Sequence, residues 1–133
     1  MTTTFPLVTI AIPTFNRADG YLNDSLGSAL SQTYPNLEII VSDNCSEDET
    51  AELVSRFDDP RIRYFRHEKN IGANNNFNFA LNQAKGKYFL LLQDDDMIDR
   101  DFVEACMRQV EDDDEVGIIR SGTRLIDAAG TVL

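Results

Sequence analysis

Apolar runs that alternate with segments of helical period leave this chain few folds to choose from. Residues 7–12, 37–41, 62–65, 88–92 and 116–119 read as strands. Between them Leu22, Leu26, Ala29 and Leu30 recur at helical spacing, as do Ala51, Val54 and Phe57, and then Ala73, Phe77, Ala80, Leu81 and Ala84; residues 102–110 form a fourth such segment. This alternation predicts an α/β chain, a Rossmann-like, mostly parallel sheet flanked by helices. Pro13 is expected to end the first strand and Gly86 to stop the third helix. Ser46 followed by Glu49 reads as a capping box for the second helix, and residues 123–133, with Ala129-Gly130 at the turn, read as a hairpin.

The 133 residues are one domain's worth of globular protein, and no linker, repeat or low-complexity tract divides residues 1–133. Twenty-three acidic against twelve basic residues give a net charge of −11, which argues against a nucleic-acid partner, since a phosphodiester backbone needs a basic face. Small phosphorylated ligands stay open, because a metal and backbone amides can hold them. Cys45 and Cys106 lack metal-site spacing and are too few for a disulfide framework, so a reducing compartment and two buried thiols are expected. The N-terminus, Met1 to Pro6, has no basic region leading into an apolar run, and no stretch of 18 apolar residues occurs.

In an open parallel sheet, ligands bind outside the carboxyl ends of the strands. Three polar loops fall there: Pro13-Thr14-Phe15-Asn16-Arg17, Ser42-Asp43-Asn44-Cys45-Ser46, and Asp94-Asp95-Asp96 after the run Phe89-Leu90-Leu91-Leu92-Gln93. Three successive carboxylates repel one another, and a divalent Mg²⁺ or Mn²⁺ bound to a phosphate is the common way to offset that repulsion. The alternative is an acidic turn capping the helix that starts near Asp99. No glycine-rich phosphate fingerprint follows the first strand. A receiver-like phosphotransfer domain would want acidic residues at the end of strand one and a late lysine, and neither is present.

The segments Val8 to Arg17, Leu26 to Pro35, Leu37 to Thr50, Asn70-Ile71-Gly72, Gly86-Lys87-Tyr88 and Asp94-Asp95-Asp96, in that order, resemble the nucleotide-sugar-binding half of a family 2 glycosyltransferase of the GT-A fold. The resemblance spans nearly the whole chain. It implies that Pro13, Thr14, Phe15, Asn16 and Arg17 form the loop against which the nucleotide base sits, with Phe15 either stacking on the base or filling core beneath the loop. Asp43 is similarly implied to bond the base or ribose, or else to cap the second helix with Ser46. Asn44 stands where the family often has a second aspartate, and its amide both donates and accepts.

Asp94 to Asp96 resemble the family's DxD motif, which holds a metal against the donor diphosphate. In the usual frame Gln93 takes the place of the first aspartate; Asp95 is then the metal ligand, Asp94 turns toward the ribose and Asp96 supports. An alternative frame uses Asp94 and Asp96. Asn70 and Gly72 match an Asn-x-Gly element before the third helix, where glycine lets backbone approach ligand. Phe77 occupies a position where members often carry an arginine, which leaves phosphate neutralisation to the metal or to Arg17, Arg66 or Lys69. Asn74, Asn75, Asn76 and Asn78 are expected on a solvated face, and His67 at the surface.

The function implied is transfer of a sugar, with inversion and metal assistance, from a nucleotide-diphosphate donor to a glycan or lipid-linked acceptor hydroxyl in surface-polysaccharide or glycoconjugate synthesis. The alternative is a non-catalytic nucleotide-sugar-binding module or an inactive relative. The general base for the acceptor is expected beyond Leu133, with the acceptor part of the fold truncated. Cytoplasmic placement is expected, with peripheral association at the inner face of the membrane as an option. Donor sugar, base and oligomeric state are left open, although an uncovered sheet edge favours self-association.

Overall fold

The computed structural model describes residues 4–111, 113 and 115–133, so that Met1 to Thr3 of the N-terminal reading lie outside it. The elements run β1 Val8–Thr14, α1 Tyr21–Leu30, β2 Leu37–Asp43, α2 Thr50–Arg56, β3 Ile62–Arg66, α3 Ala73–Gln83, β4 Tyr88–Leu91 and α4 Phe102–Arg108. The four strands form one parallel sheet in the order β3-β2-β1-β4.

Every residue of β1 and β2 is buried, as befits central strands covered on both sides. Alternation along the strands divides them between two faces. Val8, Ile10 and Ile12 of β1 with Leu37, Ile39 and Val41 of β2 pack into one core with Leu22, Leu26 and Ala29 of α1 and Val103 and Met107 of α4. The opposite face is thinner and more polar: Ala11 and Ile40 meet Ala80 of α3. Glu38 is buried on that face. Its Oε1 accepts from Thr9 Oγ1 and the Lys85 N–H, each at 2.6 Å, and its Oε2 accepts from Arg63 Nη1 at 3.0 Å. Burial pushes the Glu38 carboxyl up, but these three donors outweigh it and hold the group below the ordinary carboxylate range.

Several expectations need correction. β1 runs through Pro13 to Thr14 instead of ending there. The Ala11 carbonyl bonds the Leu92 N–H on the β4 side and the Thr14 carbonyl the Asn44 N–H on the β2 side, so alternation turns Pro13 toward β4, whose ladder has already stopped at Leu91. The proline's missing N–H therefore costs no ladder bond. Residues 116–119 form no strand; Val116 and Ile119 only rest against the core, a distinction that a short apolar run does not carry. The terminal hairpin is a tight turn at Gly130 (φ 81°) closed by a single antiparallel bridge, Ile126 to Val132.

The capping box is absent. Glu49 occupies the N-cap of α2 with no side-chain cap bond, while Asp48 Oδ1 accepts from the Thr50 N–H at 3.1 Å and from the Thr50 hydroxyl. The buried side chains of α2 are Thr50, Leu53 and Val54, not Ala51. Gly86 does not cap α3, which ends at Gln83. Its N–H donates to Thr9 Oγ1 at 3.0 Å, and a Cβ there would lie 2.6 Å from the Thr9 nitrogen, so only glycine permits this close approach to β1.

α3 buries Asn76 and Ala80 and leaves Leu81 exposed. Asn74, Asn75 and Asn78 face solvent as expected, but Asn76 turns inward because a polar residue awaits it at the end of β2. Its Oδ1 accepts from Ser42 Oγ at 2.6 Å and lies 3.0 Å from His67 Nε2, and its Nδ2 donates to the Ser42 carbonyl at 2.8 Å. His67 is accordingly half-buried and set edge-on against Phe79, not a surface residue.

Candidate functional site

Strand order reverses between β1 and β4, and their carboxyl ends carry the loops 15–18 and 93–96. Such a switch point is where open α/β sheets bind ligands. Thr14 is 3% exposed, and its Oγ1 is the buried side-chain polar atom left without a hydrogen-bond partner among the described residues. An orphaned buried hydroxyl is uncommon and calls for a partner. Next to it Phe15 is 43% exposed, which makes it an open aromatic face and not core filler. Arg17, 42% exposed, places Nε 3.8 Å from Asp94 Oδ1 and Nη2 3.9 Å from Asp95 Oδ2.

Burial pushes the Asp94 carboxyl above its ordinary range, with the Thr14 hydroxyl, Arg17 and the Phe15 N–H pulling the other way. The Thr14 hydroxyl thus favours the Asp94 carboxylate while making no hydrogen bond of its own among the described residues. Asp95, half exposed, is the open carboxylate of the pair. Asp96 takes part through its backbone: its N–H donates to the Gln93 carbonyl, and Ser25 Oγ on α1 lies 2.7 Å from both the Gln93 and Asp96 carbonyls, pinning the turn.

The loop after β1 is fastened to the loop after β2. The Asn16 N–H donates to Ser46 Oγ at 2.9 Å, Asn16 Oδ1 accepts from the Glu47 N–H at 2.8 Å, and Asp48 Oδ2 accepts from the Ala18 N–H at 3.0 Å. Asn16 needs φ 53° to do this, a left-handed conformation that asparagine tolerates better than most residues. Its side chain is thus engaged in holding the loop.

Asp43 forms a second acidic corner, at the ends of β2 and β3. It is fully buried. Oδ1 accepts from the Ser46 N–H at 2.8 Å, and Oδ2 accepts from the Tyr64 hydroxyl and lies 3.8 Å from Arg66 Nε. Burial first, then the bond to Asp43, pushes the Tyr64 phenol well above its ordinary value. Arg66 also donates from Nη2 to the Ser46 carbonyl at 2.9 Å. Beside this corner, Asn44 Nδ2 donates to Asn70 Oδ1 at 3.0 Å and Asn44 Oδ1 accepts from the Ile71 N–H at 2.8 Å. Asn70 Oδ1 also accepts from the Gly72 N–H, and Gly72 (φ 84°) opens α3.

Residues 9–125 match the family description glycosyl transferase family 2. The chain belongs to this family. Among curated members it is 37% identical over 136 residues to an uncharacterized glycosyltransferase of Rickettsia bellii, covering all of this chain and 19% of that protein. It is also 37% identical over 106 residues to the putative teichuronic acid biosynthesis glycosyltransferase TuaG of Bacillus subtilis, covering 78% of this chain and 42% of the relative. Of solved structures, the mannosyltransferase PcManGT of Pyrobaculum calidifontis, in complex with GDP-Man and Mn²⁺, superposes with a TM-score of 0.74 at 27% identity, over 84% of this chain and 34% of that one. TarS of S. aureus superposes at 0.72 and 27% identity, over 78% and 19%. The chain thus spans less than half the length of these relatives, and its fold is the GT-A fold.

Within that family frame, the structure gathers Thr14, Phe15, Arg17, Asp94 and Asp95 at one switch point. Pro13 lies inside β1, and Asn16, Asn44, Asn70 and Gly72 are committed to one another or to neighbouring loops. Sequence reasoning missed Tyr64 and Ser25. No motif marks them; only the pairing of β3 with β2 and the packing of α1 bring them in. Arg66, considered for phosphate, stands at Asp43 instead.

A divalent cation fits the residues on one condition. Among the described residues no three acidic, histidine or cysteine side chains converge as a cage. Magnesium and manganese sites need only one or two carboxylates when phosphate oxygens and water complete the shell, and the half-exposed Asp95 would supply one.

Proposed function

We propose that this chain carries the donor site of a metal-assisted, inverting glycosyltransferase acting on a nucleotide-diphosphate sugar. The observation that carries this reading is the orphaned Thr14 hydroxyl beside the open Phe15 ring and the Asp94–Asp95 pair, all at the switch point. Phe15 offers the base a stacking face. Asp94 turns toward the ribose, Asp95 holds Mn²⁺ or Mg²⁺, and Asp96 supports the turn. Asp43 reaches the nucleotide only through what surrounds it, since it is fully buried. The metal, when bound, supplies a Lewis acid for the leaving nucleoside diphosphate. The GDP-Man and Mn²⁺ complex of PcManGT supports a donor and a cation of these classes, and the name of TuaG supports a role in surface-polysaccharide or glycoconjugate synthesis.

The acceptor is a glycan or lipid-linked hydroxyl, and we assign its general base to no residue of this chain. Two unpaired cysteines, Cys45 and Cys106, favour a cytoplasmic, reducing setting; peripheral attachment to the inner face of the membrane belongs to the same reading. Among the described residues no helix is long and apolar enough to cross a membrane. A second reading, a nucleotide-sugar-binding module without catalysis, is favoured by Gln93 and Phe77 at positions where members carry aspartate and arginine.

Titration calorimetry with UDP, GDP and dTDP sugars, with and without Mn²⁺, tests the donor site. Binding that requires Mn²⁺ and is lost in Asp95→Ala is the expected result, and binding of none of the nucleotides overturns it. Transfer to an added acceptor separates the enzyme from the binding module.

A further inference from the structure

Arg17 is the cation that the structure itself places on the Asp94–Asp95 pair. Its contacts, 3.8 and 3.9 Å, bracket both carboxylates without a direct hydrogen bond to either, so attraction holds the guanidinium there and no bidentate fork locks it. The backbone on either side of it is fixed, by Asn16 N–H to Ser46 Oγ and Ala18 N–H to Asp48 Oδ2. Only the side chain is left without a hydrogen bond to the aspartates, and the Tyr21 ring, its centre 5.9 Å from the guanidinium carbon, flanks it in the same position. One guanidinium against two carboxylates leaves the corner net negative, and the buried Thr14 hydroxyl beside it still lacks a partner.

From this geometry we infer that Arg17 is a positioning residue that alternates between two charges. Without donor it is the counter-ion of Asp94 and Asp95, competing with a divalent cation for Asp95. When cation and nucleoside diphosphate arrive together, the guanidinium leaves the aspartates and pairs with the diphosphate, which brings the negative charge that a free metal ion lacks. The corner therefore favours a metal–diphosphate pair over a bare metal ion. This inference rests on the donor-site reading and makes a separate demand of it.

The test is binding of Mn²⁺ alone and of Mn²⁺ with UDP or GDP, followed by the electron paramagnetic resonance signal of free Mn²⁺ and by calorimetry. Removing a positive charge about 4 Å from the carboxylates in Arg17→Gln should tighten binding of Mn²⁺ alone by about tenfold. The same variant should weaken the nucleotide in the presence of Mn²⁺ by about tenfold or more. Arg17→Lys, which keeps the charge, should stay near wild type for Mn²⁺ alone, and the thermal melts of both variants should match wild type. Unchanged or weaker Mn²⁺ binding in a folded Arg17→Gln, or loss of metal and nucleotide affinity together, overturns the inference while leaving the donor site standing. If wild type binds no nucleotide at all, both fall.

Discussion

Two acidic corners stand on the same edge of one sheet, and they have been finished differently. At the ends of β2 and β3, Asp43 is fully buried, with one oxygen taken by the Ser46 N–H and the other by Tyr64 and Arg66. At the ends of β1 and β4, Asp94 and Asp95 share one loosely placed arginine, and a neighbouring hydroxyl has no partner. A satisfied buried carboxylate contributes to folding, whereas an unsatisfied, half-open pair is a cost that a ligand can relieve. Carboxylates alone therefore do not mark a site; what matters is how completely the fold answers them.

The largest expected difference is in stability. Asp43→Ala leaves two donors, the Ser46 N–H and the Tyr64 hydroxyl, unanswered and removes the counter-charge of Arg66; it should cost about 2–4 kcal/mol in urea unfolding, whereas Asp95→Ala should stay within about 0.5 kcal/mol of wild type while abolishing metal-dependent nucleotide binding. Equal stability losses for the two variants would erase the contrast. Tyr64→Phe isolates one of those donors; a loss of about 1–2 kcal/mol is expected, with nucleotide affinity changed little.

How pH acts sharpens the contrast between a satisfied carboxylate and an unsatisfied one. Glu38, held below its ordinary value of 4.5 by Thr9, Lys85 and Arg63, contributes stability that is complete above that value and lost as pH falls through the folded one. Asp94, raised above its ordinary 3.8 by burial, has the opposite sign: its ionised form costs the folded state stability at neutral pH, and the cost is relieved as pH falls. Acid titration of unfolding should therefore have a shallower low-pH slope in Glu38→Gln, with Asp48 and Asp59, also held below their ordinary values, keeping the remainder, and Asp94→Asn should be more stable than wild type at pH 7 and converge with it in acid. A less stable Asp94→Asn at pH 7 would mean that Arg17 and the Phe15 N–H outweigh the burial.

Much of this was legible in the chain because burial writes itself into hydropathy. The runs that became β1 and β2 are central strands and gave a clear signal, and the loops that follow them were located by the same reasoning. Residues 116–119 misled because apolar content reports burial and not hydrogen bonding. Pro13 misled because its tolerance depends on where the neighbouring strand stops. At the site, residue types were readable but their partners were not: Asn44 and Asn70 look like ligand groups until β2 and α3 are placed and the two amides are found bonded to each other. Asn76 turned inward for the same kind of reason, since Ser42 lies 34 positions away in sequence.

In the function we propose, ligand chemistry belongs to the β1–β4 corner and architecture to the β2–β3 corner. Amide chemical shifts of the ¹⁵N-labelled chain, titrated with UDP or GDP in the presence and absence of Mg²⁺, test this most directly. The largest changes should fall on Thr14 to Arg17 and Asp94 to Asp96, depend on Mg²⁺, and leave Ser46, Tyr64 and Arg66 nearly still. Changes centred on Ser46, Tyr64 and Arg66, or changes at Asp94 and Asp95 that are the same with and without Mg²⁺, would contradict it.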